Sequence, residues 1–302
     1  MILPIVFGTG VVVAGLVALL ARRWPAIEAP RVSGEKIAEE VVQHPSLAHH
    51  LRRHFNPRTE TGVTLTIAAG FVVAAAVGIG ILLAMIRTKF GLQSVDAKLA
   101  RFGADHATSF STDMLRNLSE LGGTRGVILV AAIVTLIEYK RQPTRALFLF
   151  MVLVVGGQFA LSNGIKLLVE RARPDISRLT GYAGTSFPSG HSTASAAMLA
   201  AVALIVTRGR SKQTKITVAA VAAGLAAIVA ATRVFLGVHW FTDVLAGLLL
   251  GWGWFAICSI AFGGRLLTFG LPVAAAEGVA EMIPEVESAV EPSRPLRATH
   301  QR

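Results

Sequence analysis

The chain has 302 residues, of which 53% are hydrophobic and 16% are charged, and its mean hydropathy is +0.60. Because soluble globular chains carry about 25% charged residues, this composition indicates an integral membrane protein. The formal net charge of +11 is dispersed between apolar segments and forms no basic patch with interleaved aromatic residues, which argues against nucleic-acid binding. The single cysteine, Cys258, lies inside an apolar segment, so the sequence offers no disulfide framework or thiolate metal site, and we expect a buried packing residue.

Seven apolar segments follow one another along the chain. Most reach the roughly 17–25 residues that a bilayer-spanning helix needs, whereas the third and fifth are short and must use their flanking residues to cross. Repeated Ala, Gly, Ser and Thr residues suit close contacts between membrane helices. The sequence therefore predicts an all-α, polytopic membrane helix bundle. The segments are residues 1–21, 62–86, 126–138, 146–165, 192–207, 216–236 and 244–263.

The first apolar segment could be a signal peptide or a retained helix. A signal peptide begins with a basic region, which MILPIVFGTG lacks, whereas Arg22 and Arg23 follow the apolar stretch. We therefore expect residues 1–21 to form a retained transmembrane helix whose N-terminus lies outside the cytoplasm.

Basic residues in the short links predict the orientation of the bundle. If the seven segments alternate, three basic links lie on one side, and the positive-inside rule makes that side cytoplasmic. These links are residues 22–61, 138–145 and 208–215. The loop 87–125 on the opposite side carries six Lys or Arg residues as well, so the prediction rests on the shorter links. Short helices are expected in that loop, because its apolar residues have helical spacing.

Two polar segments flank the predicted bundle. Residues 22–61 are predicted to be a cytoplasmic juxtamembrane segment, and residues 264–302 a poorly ordered cytoplasmic tail. The first segment carries four histidines, which are His44, His49, His50 and His54. A metal cluster is conceivable there, but neither Cys nor a clear carboxylate partner accompanies them, and we favour a solvated face.

Ionisable residues gather at three predicted helix ends, all on the extracytoplasmic side. They lie in NGIKLLVERARPD (163–175), in SFPSGHS (186–192) and in ATRVFLGVHWFTD (231–243). Ionisable groups at membrane depth are costly and usually functional, so these three groups are predicted to converge on one site. The serine and histidine of the second group could alternatively be an ordinary helix N-cap and a solvated residue. An N-cap would not explain why ionisable residues also gather at the other two helix ends.

Phosphate is the predicted ligand of this site. Lys166, Arg173 and Arg233 are three cations without an equal set of carboxylates nearby, and arginine forks suit tetrahedral oxyanions. The backbone N–H groups of residues 189–191 are expected at a helix N-terminus, where anions bind readily. The predicted phosphate-binding residues are Lys166, Arg173, Ser189, Gly190 and Arg233. Glu170, Arg171 and Arg178 are interpreted as flanking charges that extend toward the interface.

Two histidines and a carboxylate supply the predicted catalytic groups. Asp243 follows His239 by four residues, a spacing that lets the carboxylate hold Nδ1–H and leaves Nε2 as a nucleophile. His191 could then protonate the departing oxygen. The predicted catalytic residues are therefore His239, His191 and Asp243, with no metal and no cofactor.

Three ordered motifs resemble those of the type 2 phosphatidic acid phosphatase (PAP2) superfamily. That family carries K-x6-R-P, P-S-G-H and S-R-x5-H-x3-D, and the chain has KLLVERARP (166–174), PSGH (188–191) and TRVFLGVHWFTD (232–243). The spacings match, and the one departure is Thr232, which keeps the hydroxyl of the family's serine.

The resemblance implies a six-helix catalytic core, residues 62–263, with the helix 1–21 as an addition. It implies that His239 forms a phosphohistidine, that Asp243 orients it and that His191 is the general acid, without a metal. It also implies a lipid phosphate substrate, of the undecaprenyl pyrophosphate, phosphatidylglycerophosphate or phosphatidate class. The expected location is a bacterial inner membrane, with the site on the extracytoplasmic side. The sequence does not predict the oligomeric state.

Two other functions remain open at the level of sequence. A lipid phosphotransferase would pass the same phosphoryl group to an alcohol instead of water. An anionic-lipid transporter would also keep Arg and Lys at membrane depth, but it calls for inverted repeats and broken helices and gives no reason for the spacing of His239 and Asp243.

Overall fold

The structure is a computed structural model that describes residues 1–23, 60–141, 143–176, 179–181 and 184–267, of which 60–66 and 263–267 are described by their backbone alone. The interpretations of the four-histidine stretch, of the tail beyond residue 267 and of Arg178 lie outside the described residues. The predicted domain boundaries at 22–61 and 264–302 therefore stay predictions.

Over these residues the chain forms nine α-helices and one 3-10 turn, Glu120–Gly122, without a β-strand. Each of the seven apolar segments lies in a helix, and most of these helices extend past the apolar stretch by a few residues. The helices are α1 Ile2–Arg23, α2 Glu60–Thr88, α3 Gln93–Asp105, α4 Ser109–Ser119, α5 Thr124–Arg141, α6 Arg145–Val169, α7 Gly190–Val206, α8 Lys212–Phe235 and α9 Phe241–Leu267.

Five of these helices, α1, α2, α6, α8 and α9, are long and apolar enough to cross a bilayer. The third and fifth apolar segments, which are short in the sequence, form the helices α5 and α7, and neither passes this test alone. α5 passes the same test only together with α4 and the 3-10 turn, from which it is bent by 51°, and α7 is an apolar helix of 17 residues. The structure is that of an integral membrane protein with an all-α, polytopic bundle.

The loop between α2 and α5 contains two short helices, as predicted. α4 begins with a capping box, in which the Thr108 side chain accepts from the Ser111 N–H and the Ser111 side chain accepts from the Thr108 N–H. Leu115 of α4 is fully buried in a cluster with Phe235 and Leu236 at the end of α8. This packing brings the C-terminus of α4 to the end of α8 that carries the third motif.

Glycines set the closest approach between α7 and α9. A Cβ on Gly247 would lie 2.6 Å from the carbonyl oxygen of Ser189, and one on Gly251 would lie 2.3 Å from that of Thr193. Real side chains do not fit at such distances, so only glycine lets the α9 backbone lie against the first turn of α7. This crossing holds the second and third motifs together.

The N-terminal helix α1 packs along α8 in a similar way. A Cβ on Gly224 of α8 would lie 2.7 Å from the carbonyl oxygen of Gly10, and Ile2 and Val6 are fully buried in the cluster that contains Leu236. α1 therefore has a packing partner in the bundle. Cys258 of α9 is buried, as predicted.

Candidate active site

The helix ends that carry the three motifs meet at one place. Arg173, in the segment after α6, contacts His239 between α8 and α9, since its Nη1 lies 3.2 Å from the imidazole Nε2. The N–H of Ser189, just before α7, donates to the carbonyl oxygen of Asp243 at 3.0 Å. These contacts join the first motif to the third and the second to the third, so the structure confirms that the predicted groups converge.

Asp243 is held by the start of its own helix. It is the third residue of α9, and its Oδ2 accepts from the N–H of Trp240 at 2.9 Å, which is one half of a capping box. Ser186 Oγ donates to the same carboxylate oxygen. Oδ2 also lies 3.5 Å from Nδ1 of His239, beyond ordinary hydrogen-bond length. The carboxylate therefore faces Nδ1 across a short gap, as the i, i+4 spacing predicts.

His239 is placed with its two ring nitrogens in different surroundings. The residue is 2% exposed, Nδ1 faces Asp243, and Nε2 faces Arg173, whose Nη1 also donates to the Val238 carbonyl oxygen at 2.7 Å. Burial lowers the pKa of the imidazole to about 4, although the Asp243 carboxylate opposes this change. The ring is therefore neutral near pH 7. With the proton on Nδ1, the Nε2 lone pair points toward the cations.

The cations of the first motif are positioned by backbone carbonyl groups. Lys166 Nζ donates to the carbonyl oxygen of Thr185 at 3.0 Å, and Arg173 Nη2 donates to the same oxygen at 3.1 Å. Arg173 Nε donates to the carbonyl oxygen of Gly184 at 2.9 Å. The segment that leads into the second motif thus holds both cations of the first motif side by side.

Arg233 of α8 is held by a residue that the sequence did not indicate. Its guanidinium is buried, and Nη1 donates to Oγ of Ser119, the last residue of α4, at 2.8 Å. Its Nε has no hydrogen-bond partner within the described part of the chain. A buried donor without a partner is costly unless a ligand satisfies it, which fits an anion in this place. Ser119 lies 114 residues from Arg233, so no local spacing could have paired them.

The first turn of α7 differs in part from the prediction. Ser189 occupies the N-cap position, but its side chain makes no capping hydrogen bond and its Oγ accepts from Ser192 Oγ at 3.0 Å. Because its N–H already donates to the carbonyl of Asp243, that N–H does not face an anion as predicted. A Cβ on Gly190 would meet nothing within 4 Å, so the backbone is open to a ligand there.

The interpretation of Arg171 as a flanking charge that extends to the interface is wrong. Its side chain is only 10% exposed, and it pairs with Asp96 at 2.7 Å and with Asp243 at 2.5 Å. The guanidinium turns inward because two buried carboxylates lie there, one of them on α3 in the distant loop. Glu170, by contrast, is exposed, as expected of a flanking charge.

A groove of about 370 Å³ begins beside His191 and Lys166 and runs between α5, α6 and α7. Its wall is mainly apolar. Gln158, Ser162 and Lys166 follow at four-residue spacing on the α6 side, so they share one helical face. The apolar wall residues include Val127, Ile128, Val155, Phe159 and Ala194.

Among the residues whose positions are described, no group of three or more His, Cys, Asp or Glu side chains is arranged to hold a metal ion. Sequence reasoning missed Ser119 and Ser186, which contact the predicted site residues Arg233 and Asp243 directly. It also missed Asp96, which is linked to Asp243 through Arg171.

Comparison with known proteins identifies the family. A family model described as the PAP2 superfamily matches residues 145–266, which contain all three motifs. Phosphatidylglycerophosphatase B of Bacillus subtilis is 31% identical over 175 residues, which cover 57% of this chain and 84% of that protein. The chain belongs to the PAP2 superfamily.

Two further comparisons give another relative and a solved structure. Lipid A 1-phosphatase of Rhizobium etli is 36% identical over 145 residues, which cover 42% of this chain and 56% of that protein. The crystal structure of a transmembrane PAP2-type phosphatidylglycerolphosphate phosphatase from Bacillus subtilis superposes with a TM-score of 0.60 at 27% identity, over 66% of this chain and 98% of that chain. The predicted fold class, a PAP2-like membrane bundle with an additional N-terminal helix, is confirmed.

Proposed function

We propose that the protein is a membrane phosphatase that hydrolyses a lipid phosphate or pyrophosphate through a phosphohistidine on His239. The observation that carries the proposal is the placement of this ring, whose Nδ1 faces Asp243 and whose Nε2 faces Arg173. A neutral imidazole held between a carboxylate and a cation is a nucleophile directed at an anion.

In the proposed first step, Nε2 of His239 attacks phosphorus and the bond to the lipid oxygen breaks. His191, which carries a proton once the anionic phosphate is bound beside it, gives that proton to the lipid oxygen, and the alcohol leaves. In the second step water attacks the phosphohistidine, His191 takes the proton from the water, and inorganic phosphate departs. The Asp243 carboxylate stabilises the positive charge that the His239 ring carries between the steps.

Three cations would stabilise the phosphoryl group during both steps. Lys166 and Arg173 share the Thr185 carbonyl oxygen beside His239, and Arg233 interacts electrostatically with Arg173. Their fixed positions favour the charge that spreads over the equatorial oxygens. We assign the phosphate-binding role to these side chains, to Gly190 and to the hydroxyl of Ser189. The step needs no metal ion, since these groups provide the nucleophile, the acid and the counter-charges.

The groove beside His191 supports a lipid as the leaving group. His191 must lie next to the departing oxygen, so the remainder of the substrate extends from there along the apolar groove toward the bilayer. The names of the relatives, phosphatidylglycerophosphatase B and lipid A 1-phosphatase, support lipid phosphate monoesters. Undecaprenyl pyrophosphate, phosphatidylglycerophosphate and phosphatidate remain the candidate classes, and we place the site on the extracytoplasmic side of a bacterial inner membrane, within a catalytic core of residues 62–263.

The reaction type is tested by following phosphate and oxygen together. We expect the purified protein in detergent to release phosphate from at least one of undecaprenyl pyrophosphate, phosphatidylglycerophosphate and phosphatidate, and to incorporate one 18O atom per phosphate from 18O-labelled water. EDTA should leave the rate within about twofold. A phosphorylated alcohol in place of free phosphate would establish the transferase instead. Lipid movement without phosphate release would favour the transporter.

The role of the groove is tested by filling it. Gly156 of α6 lines the groove, and a Cβ there would meet nothing within 4 Å. Gly156→Phe is therefore expected to extend a ring into the groove without a clash at its Cβ. We expect KM for the lipid to rise about tenfold or more, whereas kcat/KM for the short ester p-nitrophenyl phosphate stays within about twofold.

Gly164→Phe is the matched control for this variant. Gly164 lies on the same helix, also has open space at its Cβ position, and is not among the residues that line the groove. Its KM for the lipid should stay at the wild-type value. Equal effects of the two variants would contradict the assignment of the groove to the lipid.

A further inference from the structure

Two carboxylates and one guanidinium form a buried ion cluster on the Nδ1 side of His239. Asp96 of α3 and Asp243 of α9 are 1% and 0% exposed, and the Arg171 side chain lies between them. Nη2 of Arg171 is 2.7 Å from Asp96 Oδ2, and Nη1 is 2.5 Å from Asp243 Oδ1. Neither Asp96 nor Arg171 belongs to the positions that the three motifs specify.

Asp96 also holds the first turn of α9, although it belongs to a different helix. Its Oδ1 accepts from the N–H of Thr242 at 2.9 Å, and its Oδ2 accepts from the Thr242 hydroxyl at 2.7 Å. Thr242 is the second residue of α9, so Asp96 satisfies one of the N–H groups that a helix start leaves without a partner. Arg171 Nη1 contacts the Thr242 hydroxyl as well, at 2.7 Å.

These contacts leave Asp243 with a fixed orientation. Arg171 occupies Oδ1, while Ser186 Oγ and the Trp240 N–H occupy Oδ2. Rotation of the carboxyl group would break several of these contacts at once. Oδ2 is therefore always the oxygen that faces His239 Nδ1. The ring then keeps Nε2 on the side that points away from Asp243.

The cluster also contributes to the electrostatic field at His239, on the side of the ring opposite Arg173. Two carboxylates around one guanidinium leave one negative charge in excess, in a place with almost no solvent. Removing the charge of Asp96 would leave Arg171 opposite Asp243 alone, and the field that stabilises a positive ring on His239 would weaken. Removing Arg171 would leave two buried carboxylates without a shared counter-charge, which is costly.

We propose that Asp96 and Arg171 are positioning residues of the phosphatase reaction, which fix the orientation and the charge of Asp243 and through it direct His239. This inference rests on the proposed function. It extends the machinery beyond the three motifs into α3, in the loop between α2 and α5.

The test compares Asp96→Asn with Asp113→Asn, using the full-length protein. Asp113 lies in the same loop, and its side chain is 68% exposed in a surface pair with Arg116, so it controls for the chemical change. With a lipid phosphate that the wild type cleaves, we expect Asp96→Asn to lower kcat about 10–100-fold and to leave KM within about threefold. Asp113→Asn should retain the wild-type values. A wild-type kcat in Asp96→Asn would overturn the inference.

A double-mutant cycle separates positioning from a general loss of structure. If Asp96 acts through Asp243, then Asp96→Asn should lower kcat by a much smaller factor in an Asp243→Asn background than in the wild type. Equal costs in both backgrounds would overturn the inference. Arg171→Lys provides a second variant, which keeps the charge but lacks the planar guanidinium fork that contacts the two carboxylates through separate nitrogens. It should show the same fall in kcat at nearly constant KM.

His239→Ala distinguishes failure of this inference from failure of the proposed function. If His239→Ala is inactive while Asp96→Asn and Arg171→Lys are fully active, only the positioning role is wrong. If His239→Ala is as active as the wild type, the proposed mechanism itself is wrong.

Discussion

Replacement of His239 by alanine is expected to abolish phosphate release, with a fall in kcat on the order of 10⁴-fold or more. The ring is the group whose Nε2 faces Arg173 and whose Nδ1 faces Asp243. Because the proposed nucleophile itself is lost, the neighbouring cations cannot restore the reaction. Phosphate release from a lipid phosphate measures the effect.

A covalent label tests the same assignment independently. Brief mixing with a 32P-labelled substrate, followed by denaturation, should trap an acid-labile and base-stable phosphoenzyme in the wild type and none in His239→Ala. His106→Ala is the matched control, since that ring stacks on Phe102 at a centroid distance of 4.2 Å and its Nδ1 lies 3.0 Å from the Phe102 carbonyl oxygen, which is not part of the proposed site. Equal labelling of wild type and His239→Ala would contradict the mechanism.

Replacement of His191 by asparagine is expected to give the second-largest effect, about 10²–10⁴-fold in kcat toward a lipid phosphate. The alkoxide of a lipid alcohol is a poor leaving group and needs the proton that, in the proposed mechanism, His191 supplies. p-Nitrophenolate leaves without a proton, so the first step with p-nitrophenyl phosphate should be much less affected. The second step still needs His191 to take a proton from water, and the phosphoenzyme should therefore accumulate.

Stopped-flow absorbance measures this outcome directly. In His191→Asn, we expect a burst of p-nitrophenol equal to the concentration of active sites, followed by slow turnover. The wild type should show a smaller burst or none. The same loss of rate for both substrates, without a burst, would show that His191 is not the general acid.

The sequence predicted the convergence of the three motifs because each lies at the end of an apolar segment. Alternation across a membrane then places those ends on one face, and the structure brings Arg173, His239 and Asp243 together as expected. The helix class and the short helices of the loop were also predictable, since they depend on local periodicity. The limits of the helices were less predictable. Lys166 interrupts the apolar segment, but the helical hydrogen bonds continue to Val169.

Contacts between distant parts of the chain could not be read from spacing. Arg171 and Arg173 are two residues apart, and the sequence gives no reason why Arg173 approaches His239 while Arg171 turns toward Asp96, which lies 75 residues earlier. Arg233 and Ser119 are likewise far apart in the sequence, and no spacing pattern predicts their hydrogen bond. The N–H of Ser189 was assigned to phosphate because a helix start favours anions, and only the packing of α9 shows that a carbonyl group already occupies it.

The glycine crossing between α7 and α9 has a consequence for protein engineering. Gly247 and Gly251 bring one backbone against another, so the distance between the second and third motifs does not depend on side-chain rotamers. Anyone who transplants the two histidines onto another helix pair would have to transfer these two glycines with them. A designed scaffold with the usual interhelical separation, filled by leucine or even alanine, would carry all the reactive groups and hold them too far apart.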